Sequence, residues 1–112
     1  MRRIAPVLAL ATILLPLPAW GSGAAKLRIA EPSPLAIHGN GFRALEHVTV
    51  TAYEPQGSLV RRIVATRAGT FTVRFAASAD WCNGVREIRA VGRRGSTAVV
   101  WTKPGLSECA AP

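Results

Sequence analysis

The side chains in this sequence that could do acid–base, nucleophilic or metal chemistry are few. They are His38 and His47, the carboxylates Glu31, Glu46, Glu54, Asp80, Glu87 and Glu108, the cysteines Cys82 and Cys109, and scattered serines. Catalysis needs a nucleophile, acid or base held against a supporting partner, and the spacing supplies no such constellation. There is no G-x-S-x-G elbow, no phosphate-binding glycine loop and no H-E-x-x-H. His38 stands opposite in phase to Ile37 and reads as an exposed strand residue beside a turn, while His47 opens the next strand. If those two strands paired, the imidazoles would approach each other, but no third metal ligand is visible. Glu46 reads as a residue that stabilises the corner before His47. No catalytic residue, metal site or cofactor is expected.

The cysteines carry a clearer signal, because of where they sit in the chain. Met1-Arg2-Arg3 is basic, Ile4 to Leu17 is an apolar run of about fourteen residues, and prolines and the small residues Gly21-Ser-Gly-Ala-Ala25 follow. That pattern predicts a secretory signal peptide over residues 1–24, with cleavage after Gly21, Ala24 or Ala25 all allowed. The run is shorter than the roughly 20 residues of a spanning helix, and no later segment is apolar enough to anchor in a membrane. An extracytoplasmic location, secreted or periplasmic, is expected. The exported part, 25–112, is about 88 residues, one small domain whose thin core a cross-link would help. In an oxidising compartment Cys82 and Cys109 read as one disulfide. It would tie the tail Gly105 to Pro112 to the loop Ser78-Ala-Asp-Trp-Cys-Asn-Gly84, closing a loop of roughly 28 residues and adding about 3 kcal/mol in the chain-entropy model.

Arginines and tryptophans are the side chains suited to binding. The chain has 14 basic and 6 acidic residues, a net +8. Loss of Arg2 and Arg3 with the leader leaves 12 against 6, a balance of +6. Such a charge attracts anionic surfaces, although ten of those 12 are arginines in an Ala-, Gly-, Pro- and Val-rich chain, which a GC-rich coding bias also produces. The candidates are Arg61 and Arg62, Arg93 and Arg94, Trp81 and Trp101. Trp81 either packs on the adjacent disulfide or stands at a loop tip, where it could stack on a sugar or anchor a partner. Trp101 shares a face with Thr97 and Val99, and alternation leaves it either in the core or on a sheet's outer face. Aromatics do not interleave with the arginines at regular spacing, so nucleic acid is not expected.

These residues are positioned by strands. His47 to Tyr53 alternates, with Val48, Val50 and Ala52 on one face and Thr49, Thr51 and Tyr53 on the other. Ahead of it Gly39 and Gly41 bracket Asn40, three residues that tolerate positive φ, before Phe42 enters a core. Lys26 to Ala30 reads as a short edge strand stopped by Pro32-Ser-Pro34, and Leu35 to His38 as the next strand. Leu59 to Thr66 is rich in β-branched residues. Its Arg61-Arg62 pair puts one arginine on each face, which suits an edge strand or a snorkelling arginine. Thr70 to Ala77 alternates most cleanly, with Phe71, Val73 and Phe75 inward. Val85 to Val91, the loop Gly92 to Ser96, and Thr97 to Lys103 complete the chain. Seven short antiparallel strands with turn signals about every ten residues predict an all-β sandwich.

The succession Ile37-His-Gly-Asn-Gly-Phe42, Glu46-His-Val-Thr-Val50 and Ala68-Gly-Thr-Phe-Thr-Val73 resembles bacterial immunoglobulin-like domains of the IPT/TIG-like kind. In those a V-x-G-x-G-F corner precedes a G/E-x-V-x-V strand, and a G-x-F-x-V strand completes the core. The resemblance runs from about Leu27 to Trp101, with Arg43-Ala-Leu45 replacing the usual Pro-Gly-type turn and the cysteine tail added. It implies a small immunoglobulin-like sandwich that spaces, supports or binds, and it supplies no catalytic residues. The expectation is therefore a secreted, monomeric, non-catalytic binding or structural module whose partner is an unknown protein or an envelope polymer. One alternative is a binder of anionic envelope polymers through arginine-rich loops at 61–62 and 93–94. Another is a small secreted inhibitor that inserts the loop around Trp81 into a partner's cleft.

Overall fold

The computed structural model describes residues 24–104 and Cys109. The expected signal peptide, apart from Ala24, and the tail positions 105–108 and 110–112 lie outside the described residues. Seven strands follow in order: β1 (Lys26–Pro32), β2 (Leu35–Asn40), β3 (His47–Glu54), β4 (Gly57–Val64), β5 (Phe71–Arg74), β6 (Glu87–Gly92) and β7 (Thr97–Trp101). They form a three-stranded sheet, β1-β2-β5, and a four-stranded sheet, β4-β3-β6-β7, with every ladder antiparallel. The two sheets make an antiparallel β-sandwich, with the fourth strand placed beside the third.

The period-2 patterns determine which faces meet. Val48, Val50 and Ala52 from β3 and Ile88 and Ala90 from β6 are buried against Leu35 and Ile37 of β2, Phe71 and Val73 of β5, and Phe75. The edge strands contribute partly buried residues: Ile29, Leu59, Ile63, Ala98 and Val100. Both sandwich edges are closed by contact between the sheets, β1 against β7 and β4 against β5.

Two readings of the sequence change in three dimensions. First, Arg61 and Arg62 lie in the edge strand β4, as the reading of Leu59 to Thr66 expects, and not in an arginine-rich loop. Arg62 points outward, while Arg61 shares the inner face with Leu59 and Ile63 and carries its guanidinium past the sheet edge to donate to the Arg74 carbonyl at 2.6 Å. A flexible stem lets the charge leave an apolar face in this way. Secondly, β2 and β3 lie in different sheets, so His38 and His47 are not brought together by strand pairing. His38 Nδ1 instead lies 3.2 Å from the Thr72 hydroxyl on the neighbouring strand. β5 and β6 are also in different sheets, and their charged residues pair separately. Arg74 bonds Glu31 at 2.7 Å across Ala36, and Arg89 pairs with Glu87 on its own strand.

The glycine corner has its own lesson. Gly41 has a φ of 80°, as expected, but Gly39 is an ordinary strand residue paired with Leu27 and Phe71. Its lack of a side chain is needed for packing, because a Cβ there would overlap the Phe71 ring. That ring in turn meets Phe42 edge-on at 5.0 Å between centroids. Gly39→Ala is expected to lower unfolding free energy by about 2 kcal/mol, as overpacking of a filled core does. In a urea titration the midpoint would fall with the slope unchanged.

Candidate binding face

The outer side of the four-stranded sheet is built by the register of its ladders. Across β4, β3, β6 and β7, one row holds Arg62, Thr49, Val91 and Thr97. The next holds Val60, Thr51, Arg89 and Val99, and the last Ser58, Tyr53, Glu87 and Trp101. Ahead of these rows His47 faces Val64, and the Arg93 amide donates to the His47 carbonyl at 2.9 Å. Among the described residues seven large hydrophobic side chains are exposed, and six of them lie here: Tyr53, Val60, Val64, Val91, Val99 and Trp101. Trp101 is 52% exposed, which places it on the outer face, not in the core.

Charge on this face is uneven. Glu87, mostly buried, is neutralised by Arg89. At the opposite end Arg62 and Arg93 join His47, Thr49 and Val64 around a shallow cavity of about 310 Å³. Among the described residues the side chains of Arg62 and Arg93 have no hydrogen-bond or ion-pair partner.

The other candidates are dispersed. Arg94 lies on the β6–β7 hairpin, its guanidinium 3.5 Å from the Ala44 carbonyl, in the wall of a depression of about 910 Å³ between the Gly41–Ala44 corner and the 94–97 hairpin. Trp81 is half-buried: the Arg86 guanidinium lies 5.4 Å from its ring centroid and Arg86 Nε donates to the Trp81 carbonyl at 2.6 Å. The loop is stiffened further by the Cys82 amide donating to Asp80 Oδ1 at 2.9 Å and by the Cys82–Cys109 disulfide, whose Cα atoms are 5.3 Å apart. Trp81 is thus a braced side chain rather than a free loop tip. No protein-family model, curated protein or solved structure matches the chain.

Nucleophilic chemistry would be sought first at Ser96, whose hydroxyl donates to Glu46 Oε1 at 2.7 Å. Glu46 is only 1% exposed and also accepts from the amides of Arg43 at 2.9 Å, Arg94 at 2.8 Å and Ser96 at 3.3 Å. Burial pushes its carboxyl up, but these four donors outweigh burial and hold it below the usual glutamate value. A carboxylate so stabilised is a poor proton acceptor, and the pair acts as a tie between the corner and the hairpin. Among the described residues no group of three or more His, Cys, Asp or Glu could hold a metal, and no helix is long and apolar enough to cross a membrane.

Nothing in the linear order singles out Tyr53, Val60, Val64 or Val91 as partners of Trp101. Alternation places Tyr53 with Thr49 and Thr51, away from the core, and that is the one available signal. Strand order decides the rest.

Proposed function

We propose that this chain is an extracytoplasmic, non-catalytic binding module of the bacterial envelope or exterior that presents the outer face of its four-stranded sheet to a partner. The observation that carries this reading is the gathering of six exposed large hydrophobics onto one face of one sheet. Singly scattered exposed valines need no explanation, whereas six exposed large hydrophobics on one sheet face, interspersed with Thr51, Arg89 and Glu87 and bordered by Arg62 and Arg93, support its reading as an interaction surface. The disulfide supports export to an oxidising compartment, and the leader-like residues 1–24 agree with it.

The test is retention of the purified protein on envelope fractions of its source cell. Trp101→Ser is expected to abolish retention, while Arg28→Ala, on an exposed position of β1 in the other sheet, leaves it intact. Equal retention of the wild type and Trp101→Ser would remove this face from consideration.

A further inference from the structure

We infer that the partner of this face is an acidic glycan, a chain of sugar rings bearing carboxylate, phosphate or sulfate groups; the inference rests on the binding-face reading above. Tyr53 and Trp101 occupy the same outer row with Glu87 between them. Their strands are therefore two spacings apart, roughly 9–10 Å. Two exposed aromatic faces so separated suit alternate rings of an extended glycan, each ring laying its C–H face on an aromatic surface. The Glu87–Arg89 pair lies between them, and the exposed Arg89 guanidinium offers donors to sugar hydroxyls.

The acidic groups are received at the other end. Arg62 lies four residues along β4 from Ser58, in the Tyr53–Trp101 row, a distance of about 13 Å. With Arg93 it lines the 310 Å³ cavity beside the Thr49 side chain. Neither guanidinium has an acidic partner among the described residues, and a planar guanidinium matches carboxylate or phosphate oxygens two at a time. A polymer running diagonally from the aromatic row to this cavity would meet stacking at one end and charge at the other.

The alternatives fit less well. A second copy would bring the same excess of arginines against itself. The face is about 20 Å on each side, roughly 400 Å², about half of what each partner buries in a standard protein interface. A linear polymer needs only a strip.

The experiment is calorimetric titration of the purified protein with polygalacturonate, a neutral β-glucan and vesicles containing phosphatidylglycerol, with amide chemical shifts followed by NMR. Polygalacturonate is expected to bind and to shift Thr49, Tyr53, Glu87 and Trp101. Trp101→Ala and the Arg62→Ala/Arg93→Ala pair should each weaken it about tenfold or more, while Arg67→Ala, a turn residue elsewhere, leaves it unchanged. Unchanged affinity in Trp101→Ala would reduce the binding to non-specific attraction of a basic protein and overturn the inference. Equal binding of the neutral glucan, or binding of vesicles alone, would overturn it as well. Failure of every glycan while Trp101→Ser still abolishes envelope retention would overturn the acidic glycan and leave the binding face standing, with a protein as its partner.

Discussion

Replacing Glu46 with alanine is expected to lower unfolding free energy by about 3 kcal/mol or more, read as a fall in the urea midpoint. The size follows from what the carboxylate holds. It accepts from Arg43 in the corner before β3 and from Arg94 and Ser96 in a hairpin about fifty residues later. Its removal leaves partly buried amides without an acceptor. Each hydrogen bond to a charged group is worth about 1.5–3 kcal/mol, and a domain this small has only about 5–10 kcal/mol in total. Glutamine would not repair the loss, because its NH₂ group would face an amide donor wherever it points.

The same residue gives a pH dependence of known sign. The folded carboxyl titrates below the ordinary glutamate range. Its contribution to stability is therefore complete above that range and is lost as the pH falls from it toward the lower folded value. Glu46→Gln should remove this part of the acid sensitivity. Gly92 provides a coupled check, since a Cβ there would overlap the Glu46 carboxylate. Gly92→Ala should be costly in the wild type and much cheaper beside Glu46→Ala, a non-additivity that a double-mutant cycle reads directly.

The second large effect is expected from the disulfide. Cys82 and Cys109 are 27 residues apart, and freeing them restores to the unfolded chain the conformational freedom the cross-link removes, about 3 kcal/mol. Cys82→Ser/Cys109→Ser should unfold at a correspondingly lower urea concentration, as should the wild type in strong reductant. Equal midpoints with and without reductant would mean that the bond contributes nothing to stability. Because Cys82 follows Trp81 in the braced loop, the double variant should also change tryptophan fluorescence without disturbing the Glu46 tie, which lies elsewhere.

The strands and their inward residues were legible from order alone because a strand's side chains alternate, so Val48, Val50, Ala52, Phe71, Val73 and Ile88 declared their faces locally. The cysteine pair was legible as well, since an even pair of cysteines behind a leader-like N-terminus reads as one disulfide. What a period of two does not carry is which strand lies beside which. For that reason the assignment of β2 and β3 to different sheets, the escape of Arg61 over the edge and the reach of Glu46 to the 92–96 hairpin became visible only in three dimensions. Gly39 is a like case, because its need to be glycine lies in a ring 32 residues further on. Local alternation by itself determined seven strands and one core, and the cysteine pair one cross-link. Tertiary structure alone decided that Tyr53, Trp101, Arg62 and Arg93 share a face, because interstrand register is settled by burial of the opposite side of the sheet.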